Sequence, residues 1–191
     1  MRVLCLCALL ALGACRSVPE RGVQAPSMAG REAVLADQTA WGFTGRVAYS
    51  QAGKGGSARI DWRQVGPVSE IRLSGPLAAG SVRLHVEDGR TQVFDAADNV
   101  LAEGEADAVF GQWLSAPLPA ADLVSGLRAY WPGSPERTAE ALSGVAHVSG
   151  WDWRYDAWWP GPAALPKQLE VRAGEARLRV VIEQWREGGG D

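Results

Sequence analysis

Residues 43–63, FTGRVAYSQAGKGGSARIDWR, decide the fold, because apolar and polar side chains alternate at a period of two on both sides of a glycine-rich segment. Ile60 and Trp62, for example, alternate with charged residues, as in a strand that buries one face. The stretch Lys54-Gly55-Gly56 predicts a turn between the two strands. Two such strands joined by a short turn predict an antiparallel hairpin.

The same period of two recurs along the chain and predicts about ten strands in all. The clearest further strands are predicted at 69–73, 82–86, 91–94, 151–155, 169–171 and 178–182. Helical composition is confined to three segments, at 31–41, 105–114 and 120–131. Because successive strands are joined by short turns, we predict an antiparallel sheet in a mainly β fold with few helices.

This sheet has more apolar surface than its helices can cover. A long twisted antiparallel sheet curls on itself, so we predict an incomplete, half-open antiparallel β-barrel that encloses short helices around an apolar cavity. Such a cavity would take a greasy ligand. The cavity-facing candidates are the inward residues Ile60, Trp62, Leu73, Val82, Leu84, Trp153 and Val180. A fully packed sandwich is the alternative, in which the same residues form a filled core.

The first fifteen residues, MRVLCLCALLALGAC, have the pattern of an export signal. The apolar run 3–12 is shorter than the about 20 residues that a membrane-spanning helix needs. Small residues directly before Cys15 resemble a bacterial lipobox, in which the cysteine sulfur receives a diacylglycerol and residues 1–14 are removed. An ordinary secretory signal with incidental cysteines is the alternative. Residues 15–30 would then be the acylated cysteine and a flexible tether.

Composition and motifs exclude several classes of function. The formal net charge of −3 argues against nucleic acid as a partner. The sequence contains no nucleotide-binding or nucleophile-elbow motif, and its two histidines lack metal-ligand spacing, so we expect no cofactor, metal or catalytic residue. The carboxylates Asp61, Asp152 and Asp156 are predicted to form solvated ion pairs on outer strand faces. A binding or transfer role is favoured over an enzyme.

Eight segments, taken in order, resemble the LolB family of outer-membrane lipoproteins. They are WGFTGRVAY, SARIDWRQ, SGPLAAG, EADAVFGQWLSAPLP, LVSGLRAYWPG, WDWRYDAWW, ALPKQLEV and RLRVVIEQW. The resemblance implies one LolB-like domain at 31–187, followed by a tail at 188–191. It also implies an incomplete β-barrel with a cavity that accepts lipoprotein acyl chains from a LolA-like periplasmic carrier. The protein would then insert this cargo into the outer membrane.

The resemblance further implies a protruding apolar residue in the loop that matches 74–80. Here that residue would be Leu77, which follows Gly75 and Pro76 and is the only large apolar residue of the loop. Alternatively, Leu77 folds back as a loop anchor. The implied location is the periplasmic face of the outer membrane, with Cys15 as the lipid anchor and the protein a monomer. A structural or assembly-machinery lipoprotein without a cavity remains an alternative, as does a lipid-modifying enzyme.

Overall fold

The computed structural model describes residues 28–75, 80–114 and 119–188. Within them the chain forms ten strands and four helices. The strands are β1 Ala40–Gln51, β2 Lys54–Val65, β3 Val68–Gly75, β4 Gly80–Glu87, β5 Arg90–Phe94, β6 Val100–Glu105, β7 Val145–Val148, β8 Trp151–Trp158, β9 Pro166–Ala173 and β10 Ala176–Glu187. The helices are α1 Met28–Asp37, α2 Ala106–Leu114, α3 Ala120–Arg128 and α4 Pro135–Leu142.

All ten strands belong to one antiparallel sheet in the order β6-β5-β4-β3-β2-β1-β10-β9-β8-β7. Two meanders, β1 to β6 and β7 to β10, are therefore joined by the pairing of the first strand with the last. Among the described residues, the edge strands β6 and β7 do not pair with each other. An open sheet with helices packed on its apolar face confirms the predicted half-open antiparallel barrel.

The β1–β2 hairpin forms, but its turn was predicted in the wrong place. Ala52 and Gly53 have positive φ values of 47° and 77°, which suits a two-residue hairpin turn. The segment 54–56 instead begins β2. Gly55 is required for a different reason, because a Cβ atom there would overlap the carbonyl oxygen of Tyr49 on β1.

The helices differ from the prediction at their ends. The first begins at Met28 and ends at Asp37 instead of covering 31–41, and Trp41 is a buried residue of β1. The helix predicted at 120–131 stops at Arg128, since Ala129 adopts the left-handed conformation that ends many helices. Helix α4 was not predicted. It is a short helix with a proline at its start.

The core has two parts, and α3 lies between them. Behind α3, Trp153 is fully buried and packs edge-on against Trp131, with 6.0 Å between ring centroids. A Cβ atom at Gly126 of α3 would overlap the Trp153 ring, so glycine is what allows this close approach. The core around Trp153 is therefore tightly filled, and an apolar cavity lies beside Leu123 and Leu127 of α3.

Candidate functional site

The candidate site is a wholly apolar cavity between the inner face of the sheet and helices α2 and α3. Its volume is about 90 Å³. Strands β1, β2, β3, β4 and β10 form its floor through alternate side chains, and three helical side chains cover it. The lining residues are Val47, Ile60, Trp62, Ile71, Leu73, Leu84, Leu178 and Val180 from the strands and Phe110, Leu123 and Leu127 from the helices.

Trp62 is held rigidly in the cavity wall. Its ring stacks on Trp41 at an interplanar angle of 9° and on Phe43 at 17°. Its Nε1 donates a hydrogen bond of 3.1 Å to Oε1 of Gln64, so the one polar atom of the indole is satisfied away from the cavity. Ser69 donates to the same oxygen. The wall therefore presents only apolar atoms to a ligand.

A second cavity of about 180 Å³ adjoins the first. Trp62 and Phe110 line both cavities and are the only lining residues that the two share. The second cavity reaches the turns between β2 and β3 and between β4 and β5, where Pro67 and Gly89 line it. The two cavities are therefore neighbours that meet at Trp62 and Phe110.

Helix α3 is fixed to the rest of the domain at its carboxyl end. The hydroxyl of Tyr155 donates a 2.9 Å hydrogen bond to the carbonyl oxygen of Gly126. The buried guanidinium of Arg31, on α1, donates to the carbonyl oxygens of Ala163, Ala129 and Arg128 at 2.9, 3.1 and 2.6 Å. Burial, with a smaller contribution from nearby Arg128, lowers the pKa of Arg31 to about 10, so the side chain still carries its charge at neutral pH.

Helix α2 is held less firmly than α3. Among the described residues, its hydrogen bonds to other segments lie at its first turn: the amide of Ala106 donates to the Gly89 carbonyl, and Asp107 accepts from the Ala120 amide. Beyond that turn the described contacts are apolar, through Val109 and Phe110. Among the described residues, α3 therefore has more hydrogen-bonded anchors to the rest of the domain than α2 has.

Five of the seven cavity residues predicted from sequence line the cavity: Ile60, Trp62, Leu73, Leu84 and Val180. Val82 is buried on the same sheet face but is not part of the lining, and Trp153 belongs to the filled core behind α3. Sequence reasoning missed three lining residues on strands, which alternation would also have found, and three on helices. Leu123 and Leu127 had a usable signal in their spacing of four.

The two residues that flank the predicted transfer loop are part of the described structure. Gly75 ends β3, Gly80 begins β4, and the two are paired, exposed and in positive φ at 117° and 139°. Pro76, Leu77 and Cys15 lie outside the described residues. The hairpin end of β3 and β4 is thus at the surface, and the intervening loop 76–79 begins and ends there.

Polar groups on the outer face form ion pairs. Asp61 pairs with Arg186, Asp156 with Arg154, and Asp152 with His147. His85 contacts Glu70, whose hydrogen bond raises the pKa of the histidine. In the described ranges no group of three histidine, cysteine or acidic side chains is placed to hold a metal ion, and no helix there has the length and hydropathy to cross a membrane.

Comparison with known proteins identifies the family. A solved structure of a DUF1329 family protein from Desulfovibrio piger is similar in fold, with a TM-score of 0.52 at 8% identity over 84% of this chain and 90% of the other. Residues 39–185 match the family model described as "Outer membrane lipoprotein LolB". The outer-membrane lipoprotein LolB of Xanthomonas campestris pv. campestris is 31% identical, covering 93% of this chain and 92% of the relative. That of Xylella fastidiosa is 34% identical, covering 82% and 76%.

These matches give the class of protein. The chain is an outer-membrane lipoprotein that acts in lipoprotein localisation and transport, and it is not an enzyme. It belongs to the LolB family. The family assignment confirms the resemblance drawn from the eight sequence segments, and the receptor and insertion function that this resemblance implied.

Proposed function

We propose that the apolar cavity is the site where this LolB family member holds the acyl chains of a lipoprotein on its way into the outer membrane. The observation that carries the proposal is the lining, which presents no polar surface. Exposing an acyl chain to water costs about 0.8 kcal/mol per CH₂ group. A dry apolar cavity removes that cost while the cargo passes from a LolA-like periplasmic carrier to the bilayer.

The cavity must enlarge to hold such a ligand. An engineered cavity of about 150 Å³ accommodates only a benzene-sized molecule, and the larger of the two cavities here is about 180 Å³. Because α3 is anchored through Gly126 and Arg31, the enlargement falls to α2. Outward movement of α2 would withdraw Phe110 from the shared wall and join the two cavities into one larger site.

Transfer through this cavity runs downhill in free energy. The sequence offers no nucleotide-binding motif, so the chain itself supplies no source of chemical energy. The acyl chains move from one apolar site to another and finally into the bilayer, which takes them up most favourably. The domain only has to keep the chains out of water at each step.

The remaining parts of the sequence fit this role. Acylated Cys15 would hold the domain at the periplasmic face of the outer membrane through the tether 15–30, as a monomer. Leu77, in the segment between β3 and β4, would enter the bilayer and give acyl chains a path out of the cavity. The exposure of Gly75 and Gly80, which flank that segment, supports this role.

Uptake of acylated cargo tests the proposed function. A carrier loaded with an acylated lipoprotein is mixed with the protein, the two are separated, and the cargo on each is measured by mass spectrometry. We expect the acylated lipoprotein to appear on this chain and its non-acylated form to stay unbound. Equal binding of both forms would contradict the proposal and favour a structural lipoprotein that recognises the cargo protein itself.

A further inference from the structure

The outer face of the sheet carries a cluster of positive charge in an otherwise acidic protein. We define the basic face as the outward side chains of β10, β1, β2 and β3 that lie toward the β3–β4 hairpin. Its members are Arg46, Arg59, Arg72 and Arg179, all exposed. The whole chain has a net charge of −3, so this concentration of basic groups is not a reflection of composition.

Strand register brings these residues side by side. Arg46 lies directly opposite Arg59 on the neighbouring strand, and Arg179 lies opposite Ala48. Arg72 lies opposite Arg83. With strands about 4.8 Å apart and about 3.3 Å per residue along each strand, the cluster covers an area of roughly 15 by 13 Å.

Folding does not account for this arrangement. Like charges directly opposite each other on neighbouring strands destabilise a sheet, and the face contains two such arginine pairs. The carboxylate of Glu183 forms ion pairs with both Arg46, at 2.9 Å, and Arg59, at 4.0 Å. Asp61, opposite Arg72, is paired with Arg186, and Asp98 pairs with Arg83. Arg72 and Arg179 have no ion-pair partner among the described residues.

The chemistry of the face suits many phosphates in a plane. A guanidinium binds phosphate oxygens with two parallel hydrogen bonds. Several of the side chains near the basic ones are small, with Ala48, Ser50 and Ser57 on β1 and β2 and Ser74 and Ser81 on β3 and β4. The basic groups therefore surround a shallow floor and are spread over several strands, which fits an extended anionic surface better than a single ion.

We propose that the basic face docks on the anionic, phosphate-bearing surface of a phospholipid bilayer. It lies level with Gly75 and extends just beyond it toward the β1–β2 turn. Arg59 pairs with Ser74, and Arg179 lies opposite Ala48, whose partner on β2 is two residues further out than Arg59. Docking there turns this end of the half-barrel toward the membrane. The inference adds to the proposed function a membrane contact that needs neither cargo nor lipid anchor.

Vesicle binding of the mature chain, residues 15–191 with Cys15→Ala, tests this proposal without an acyl anchor. The vesicles contain either phosphatidylcholine alone or phosphatidylcholine partly replaced by phosphatidylglycerol. We expect binding to the phosphatidylglycerol vesicles only, weakening as salt is added. Arg72→Gln with Arg179→Gln should reduce the partition coefficient about 25-fold, five-fold for each side chain, since a basic residue near such a surface contributes about 1 kcal/mol.

The control is Arg137→Gln with Lys167→Gln, which removes the same charge from exposed positions away from the basic face. We expect it to bind nearly as well as the parent, and both double variants to keep the parent's unfolding temperature. Equal losses in the two variants, or no preference for phosphatidylglycerol, would overturn the proposal. So would unchanged vesicle binding with impaired uptake from the carrier, which would assign the face to a protein partner. Because no cargo is present, failure here leaves the acyl-cavity proposal standing.

Discussion

Replacing Val180 by phenylalanine should fill the apolar cavity and block acyl binding while leaving the protein folded. Val180 lies on β10 in the cavity floor and is 2% exposed. Free energy of unfolding falls by about 24 cal/mol for each Å³ of cavity, so filling 90 Å³ would return at most about 2 kcal/mol. Packing strain from a larger side chain costs about 1–3 kcal/mol. The two effects nearly cancel, and we expect stability to change by about 1 kcal/mol or less.

Val171→Phe is the matched control. Val171 lies on β9, fully buried, and pairs with Trp153 in the filled part of the core. With no free volume to receive the ring, this variant should lose about 1–3 kcal/mol, or about 2–10 °C in unfolding temperature. Its folded molecules should still bind acyl chains, because the cavity on the other side of α3 is unchanged.

A fluorescent fatty acid titrated into each variant, together with thermal unfolding, separates the two effects. We expect Val180→Phe to bind the fatty acid at least ten-fold more weakly at nearly normal stability. Val171→Phe should bind it with nearly normal affinity and have a lower unfolding temperature. If Val180→Phe binds the fatty acid with unchanged affinity while remaining folded, acyl chains do not occupy this cavity and the reasoning fails.

Three other substitutions test separate parts of the molecule. Cys15→Ala should release the protein from the outer membrane after a high-salt wash, and full retention in the membrane fraction would rule out the lipid anchor. Leu77→Glu should leave unfolding temperature and cargo uptake nearly intact while delivery into outer-membrane vesicles falls at least ten-fold; an unfolded variant would instead identify a loop anchor. Burial would raise the pKa of Glu170, but hydrogen bonds from Arg177 and Arg172 outweigh it and lower that pKa. Glu170→Gln should therefore lower the free energy of unfolding by about 2 kcal/mol at neutral pH. Denaturant titrations should show this difference disappearing as the pH falls below the ordinary carboxyl pKa of 4.5 and then through the lowered pKa of Glu170.

The strands were predictable because a half-buried strand repeats every two residues, and this signal is local. Ile60 and Trp62 on β2 lie inward, as their alternation with charged residues required. Turns were harder. The stretch Lys54-Gly55-Gly56 indicated a turn, but Gly55 lies within β2, where its backbone closely approaches β1. The turn precedes it. Sequence shows that a glycine is needed without showing which of its two uses applies.

The cavity was predictable only in part, for a related reason. Alternation identifies the inward face of a strand, and it placed both Leu84 and Trp153 on inner faces. Whether an inward residue meets another side chain or empty space depends on where the helices lie. Helix α3 covers Trp153 through Gly126 and leaves Leu84 facing the cavity. That choice is made by tertiary packing, through contacts such as those of Arg31, which no local pattern encodes.

Photo-crosslinking of bound cargo tests the central claim most directly. A lipoprotein carrying a photoreactive group in one acyl chain is transferred from the carrier to this chain, irradiated, and the adducts are mapped by mass spectrometry. The account predicts adducts on cavity-lining residues such as Leu73, Leu84 and Phe110, and their loss in Val180→Phe. Adducts confined to the outer face of the sheet, or unchanged by Val180→Phe, would contradict it.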